Sequence, residues 1–152
     1  MRLSTAITTW ALAAIIGTPV LKVGADDASI VLERQEGFET MGRAFKAMRA
    51  MQKDGAADNP RFVDAAEAIA ERSKLIADWF PAGTGIDDGA DTDALNYIWK
   101  NAEKFARLTA DIEIEAEGLV AAARSGDVEL IASAIESTRG ACSACHKSFR
   151  AD

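Results

Sequence analysis

The sequence predicts an all-α fold, an antiparallel up-down bundle of four helices, and three features carry that prediction. Four stretches, at about 26–53, 60–80, 91–124 and 128–149, repeat apolar side chains at the three, four and seven spacing of one buried helix face. The connections are mostly short, which sets successive helices antiparallel. Strand-like alternation of apolar and polar residues occurs nowhere in the chain.

Before the first helix, Arg2 is followed by an apolar run from Leu3 to Leu21, broken only by small hydroxyl residues, Gly17 and Pro19. Val23-Gly24-Ala25 then offers small residues at the positions a signal peptidase reads. Residues 1–25 are expected to be a secretory signal peptide, cleaved to leave a domain at 26–152. An uncleaved membrane anchor is the competing reading, and Pro19, the threonines and the cleavage-like site weigh against it. The remaining chain is long enough for one domain with its own core. The formal charge of −7 becomes −9 once Arg2 and Lys22 are removed, because the first 25 residues hold no acid. Such a surface repels nucleic acid and anionic membranes, so neither is an expected partner.

In the first helix Val31, Phe38, Met41, Phe45 and Met48 form the stripe; Asp26, Asp27 or Ser29 can cap its start, and Asp54-Gly55 ends it. Arg34 interrupts that stripe between Val31 and Phe38. A guanidinium cannot be buried unpaired, so Arg34 needs an anionic partner at the seam or must carry its head to solvent or a neighbouring Glu. Asn59-Pro60 starts the second helix, with Phe62, Ala66, Ile69, Ile76 and Phe80 along its stripe and Pro81-Ala82-Gly83 as its stop. Residues 81–91 read as one long solvated loop. The third helix is expected to begin at 91–93, with Thr92 as cap, and to carry Leu95, Ile98, Ala102, Phe105, Ile112, Ala116 and Leu119. Trp79 and Trp99 fall on helical faces and are expected to be core. After the Ser125-Gly126-Asp127 turn, the fourth helix places Val128, Ile131, Ile135, Thr138, Cys142, Cys145 and Phe149 on its seam.

That last helix holds the chemistry. Cys142-Ser143-Ala144-Cys145-His146 contains both cysteines and the only histidine of the chain. C-x-x-C-H is the pattern of covalent c-type haem attachment. The thiols join the vinyl groups of haem c as thioethers, and the imidazole of His146 binds the iron. A disulfide, a redox-active C-x-x-C and a zinc site are the competing readings. Thioredoxin-type motifs accompany βαβ patterns, and three ligands within five helical residues cannot easily surround a tetrahedral ion. With both thiols on the seam, the haem belongs inside the bundle, near the C-terminal helix.

Taken together, Arg34-Gln35, Trp79-Phe80-Pro81, Ile98-Trp99, the haem motif and Phe149-Arg150 resemble the cytochrome c′ family, the class II c-type cytochromes, from about residue 29 to the end. Class I cytochromes c carry the motif near the N-terminus with a methionine ligand downstream; only residues 147–152 follow it here, and none is Met. Low-spin members resembling cytochrome c-556 read Arg-Gln-x-x-Met in the first helix, with that Met as sixth ligand. Here Phe38 occupies the slot. The resemblance therefore implies five-coordinate, high-spin iron with His146 as sole protein ligand and an apolar distal pocket lined by Phe38 and Met41. The alternative is a low-spin carrier in which Met41, three residues further along the stripe, ligates the iron. The resemblance also implies Arg34 as a propionate partner and Arg150 beside the proximal imidazole.

A pocket without hydrogen-bond donors favours neutral NO and CO over O₂ or anions. The expected function is thus a periplasmic protein that binds diatomic gas rather than a turnover enzyme; the resemblance implies a role in NO tolerance, and a redox-active haem iron one in electron transfer. Redox partners are not specified by the sequence. The resemblance implies a homodimer through the first two helices, with which exposed apolar positions such as Ile30 and Met51 would be compatible.

Overall fold

The computed structural model describes residues 25–55 and 60–151, so the signal segment and the Asn59 cap lie outside the described residues. Four long helices form the bundle: α1 (Ala25–Lys53), α2 (Pro60–Ser73), α4 (Ala102–Ser125) and α5 (Val128–Phe149), with a single turn, α3 (Tyr97–Lys100), ahead of α4. Helix α1 packs on α2, α2 on α4, and α4 on α5. Among the described residues α1 and α5 make no comparable contact, and the main cavity lies between them.

The α4–α5 hairpin follows directly from its residues. Gly126, at φ 69°, takes the left-handed conformation that ends α4 and returns its N–H to the Ala123 carbonyl. Asp127 then caps α5, its Oδ1 accepting from the Glu129 and Leu130 N–H groups at 2.9 and 3.0 Å. Ile131, Ile135, Thr138, Cys145 and Phe149 are buried along α5, and the Thr138 hydroxyl satisfies itself on the Ala134 and Glu115 carbonyls. Val128 departs from the expected seam and is 58% exposed. Ala102 is likewise exposed, and the buried hydroxyl residue Thr109 continues the α4 stripe between Phe105 and Ile112.

Two boundaries differ from the periodic pattern. Helix α2 ends at Ser73, and Ile76–Trp79 form a separate 3₁₀ turn. The tighter winding starts with Leu75 N–H bonding to the Arg72 carbonyl and continues with Asp78 N–H to that of Leu75. Residues three apart eclipse in a 3₁₀ turn, so Ile76 and Trp79 both turn inward and are buried. The second correction concerns 91–96, which is not the start of a helix. The Ala151 N–H bonds to the Asp93 carbonyl at 2.8 Å, the Leu95 N–H to that of Phe149 at 2.9 Å, and Ala94 forms an antiparallel bridge with Arg150. Thr92 caps nothing; its hydroxyl accepts from Arg34 and from the Ala94 N–H.

The 81–91 loop is also less solvated than its composition suggests, because Thr84 and Gly85 are buried. Ile30 and Met51, expected to be exposed, are half-buried against the core. Among the described residues the exposed large apolar side chain of α1 is Leu32.

Candidate haem site

The sole histidine and both thiols sit on the last two turns of α5, where i, i+3 and i, i+4 spacing brings Cys142, Cys145 and His146 to one side of the helix. All three line a cavity of about 1040 Å³ between α1 and α5. Its opposite wall is α1, which contributes Arg34, Phe38, Met41 and Phe45; Ile76, Phe80, Ile98, Phe105, Ile112 and Phe149 supply much of the rest. The volume lies just above the about 300–1,000 Å³ typical of small-molecule sites, and the wall is predominantly apolar.

Aromatic rings organise that wall. Phe80 meets Phe105 at 5.0 Å and Phe105 meets Phe149 at 5.4 Å, both edge to face. Phe38 stands 6.2 Å from Phe80 and, across the cavity, 6.5 Å from the His146 ring at an interplanar angle of 73°. That last pair tests whether a macrocycle fits. A ligating imidazole stands upright on the macrocycle while a phenyl covering the other face lies flat, so the two rings should be nearly perpendicular. A metal–nitrogen bond of about 2 Å, roughly 1 Å from nitrogen to ring centre and about 3.5 Å of van der Waals contact require a separation of about 6.5 Å. The residues fit the group.

The electrostatics agree with that use. Enclosure, and then the Arg150 charge, hold the His146 imidazole below its usual range, favouring the neutral form that ligates metal. Burial raises the Cys142 thiol, and burial together with Cys142 pushes Cys145 up to about 11. Redox C-x-x-C motifs depend on the opposite, a depressed thiol pKa. Among the described residues, no cluster of three or more His, Cys, Asp or Glu side chains is placed to hold a metal ion.

Arg34 is 2% exposed, so its head is neither carried to solvent nor paired with a neighbouring Glu. No carboxylate meets it among the described residues. Its Nη1 donates to the Trp79 carbonyl and the Thr84 hydroxyl at 3.3 and 3.2 Å, and its Nη2 to the Thr84 carbonyl and the Thr92 hydroxyl at 3.0 and 2.8 Å. The guanidinium carbon lies 4.5 Å from the centre of the Phe80 ring. Neutral acceptors and an aromatic face thus solvate the charge, and burial lowers its pKa. Sequence reasoning missed this clamp because its acceptors are backbone carbonyls and hydroxyls with no motif of their own. Arg150 caps α5 at the cavity mouth, its Nε and Nη2 both donating to Asp93 Oδ2 at 3.2 and 3.0 Å. Met41 is buried on the cavity wall. Trp79 is buried, and Trp99 packs on the core with its Nε1–H on the Phe80 carbonyl at 3.0 Å.

Comparison with known proteins points the same way. The family model for cytochrome c′ matches residues 29–150. A cytochrome c′ of Rhodospirillum rubrum is 35% identical over 143 residues, covering 93% of this chain and 95% of the relative. The fold is similar to the crystal structure of cytochrome c′ from Thermochromatium tepidum, with a TM-score of 0.75 and 26% identity over 83% of this chain and 97% of that one. It is also similar to the nitric oxide complex of a variant cytochrome c prime from Alcaligenes xylosoxidans, with a TM-score of 0.73 and 26% identity over 84% and 98% of the two chains. The chain belongs to the cytochrome c′ family and, with it, to the proteins that carry covalently bound haem c.

Proposed function

We propose that this chain is an exported haem protein that binds NO and CO at an iron held by His146 alone. Cys142 and Cys145 would carry the thioethers. The observation that supports this most directly is Phe38 facing His146 at 6.5 Å, a phenyl ring where a ligating side chain would otherwise stand. When bound, the haem supplies an iron that cycles between two oxidation states and accepts a diatomic ligand. Phe38, Phe80 and Phe105 exclude water and offer no donor to O₂ or an anion, so neutral gases are favoured. Arg34 uses both terminal nitrogens on protein acceptors, which leaves Nε–H as its donor to a propionate. Arg150 would keep a cation beside the imidazole. A role in NO tolerance, a periplasmic location after cleavage of residues 1–25, and a homodimer complete the reading. That a similar protein has been crystallised with nitric oxide supports the choice of ligand.

A second reading has one observation behind it: Met41 lines the same cavity on the same helix as Phe38. If its sulfur ligates the iron, the protein is a low-spin electron carrier. The ferrous spectrum decides between them. A broad high-spin Soret band that shifts with CO and NO, unchanged in Met41→Ala, is the expected result. Sharp low-spin α and β bands that disappear in Met41→Ala would refute it.

A further inference from the structure

Trp79 is 1% exposed and takes no part in the cavity wall, yet it touches the residue that does. Its ring meets Phe38 edge to face at 5.5 Å, closer than either Phe80 or His146 approaches. Two features fix the indole there. The six-membered edge, Cζ2, Cη2 and Cζ3, lies directly on α1 at Gly37, where any Cβ would overlap it. On the other edge, Nε1–H donates to Glu33 Oε1 at 3.2 Å, one helical turn before Gly37. The 3₁₀ turn that ends at Trp79 delivers the side chain to this slot, and Arg34 Nη1 holds the Trp79 carbonyl at 3.3 Å. The indole is therefore held at both edges by residues one turn apart on α1, Glu33 and Gly37, and its backbone by Arg34, all on the helix that carries Phe38.

We propose that Trp79 is a positioning residue for ligand admission: wedged against Gly37, it denies Phe38 room to retreat, so Trp79 sets how fast a diatomic ligand reaches the iron. This rests on the reading that the iron lies between His146 and Phe38. A ligand on that side needs space that the 6.5 Å ring separation does not leave, so the phenyl ring must move aside. A bound macrocycle would occupy the cavity side of the phenyl ring, and the indole, which is not part of the cavity wall, packs against that ring at 5.5 Å. Movement of Phe38 therefore requires movement of Trp79, which Gly37 and Glu33 resist. Any residue at 37 other than glycine would displace the indole, which ties the identity of that position to the same device.

The test is a double-variant cycle on CO association with the ferrous holoprotein, comparing the parent, Phe38→Ala, Trp79→Leu and the double variant, each checked for full haem content. Phe38→Ala should bind CO faster. Trp79→Leu should be about threefold to tenfold faster than the parent, the scale of a lost edge-to-face ring contact. The double variant should be no faster than Phe38→Ala alone, because the indole acts only through the phenyl ring. An unchanged rate in Trp79→Leu, or an effect that multiplies fully with that of Phe38→Ala, would overturn the proposal while leaving the iron site intact. An unchanged rate in Phe38→Ala would overturn the reading of the iron site and this inference with it. Should Trp79→Leu fail to accumulate, Trp79→Phe removes the edge lying on Gly37 and keeps an aromatic core residue. The same acceleration is expected of it, and an unchanged rate would equally sink the idea.

Discussion

Replacing Arg34 with methionine should cost far more stability than one surface-accessible hydrogen-bond partner could explain. The guanidinium makes four hydrogen bonds, two of them to the buried carbonyls of Trp79 and Thr84, and covers the Phe80 ring. Hydrogen bonds to a charged group contribute about 1.5–3 kcal/mol each, but four that share one side chain do not add. A firmer estimate comes from what is left behind. Two carbonyls stranded without donors cost about 1–3 kcal/mol apiece, and the lost cation–π contact adds about 0.5–2 kcal/mol. The expected loss is about 3–5 kcal/mol. At roughly 3 °C per kcal/mol for a domain of this size, the Tm of the holoprotein should fall by about 10–15 °C. Thr92→Val removes one of the four bonds and the acceptor of the Ala94 N–H, and should lower it by about 6 °C, a loss near ~2 kcal/mol. Arg34→Lys should behave like Arg34→Met, because an ammonium cannot span two carbonyls and two hydroxyls as the planar fork does. Thermal unfolding followed by far-ultraviolet circular dichroism measures all three. A fall in Arg34→Met no larger than in Thr92→Val would refute the clamp.

Two further predictions concern α5. Asp127→Ala removes the oxygen that accepts from Glu129 and Leu130, and should cost about 1 kcal/mol, read as a Tm lower by about 3 °C with an unchanged absorption spectrum. For the thiols, Cys142→Ala and Cys145→Ala singly should each leave the haem resistant to acid-acetone extraction through the remaining thioether. The double variant should release it, and haem retained in that variant would contradict the assigned attachment.

The parts of this molecule that were legible in the sequence are those governed by neighbours along the chain. The seam of α5 from Ile131 to Phe149 follows from spacing alone, and the cofactor from five consecutive residues. Cap and turn chemistry at Gly126-Asp127 is equally local. The segment from Pro81 to Asn96 is different in kind. Its course depends on Arg34, about fifty residues earlier in the chain, and on pairing with the backbone of 149–151 near its end. No periodicity records a guanidinium reaching a carbonyl, so composition suggested a solvated loop and a capped helix instead. Trp79 shows the same limit. Its burial was anticipated from its place on a helical face, but the turn that buries it is 3₁₀, and the glycine that admits it sits on another helix.

The cavity between α1 and α5 has a consequence for how the molecule comes apart. Phe38 and His146 lie near opposite ends of the chain, and the helices that carry them are joined to the bundle through α2 and α4 rather than to each other. Whatever fills the space between them therefore closes a loop of about 108 residues, a step whose entropic cost grows only slowly with loop length. In the proposed site the filling is bonded to α5 and stays with that helix when the fold opens, while α1, held by its contacts with α2 and the turn at 76–79, can leave without it. Amide hydrogen exchange should find α1 the first long helix to give up its protons, and α4, packed on both sides, the last.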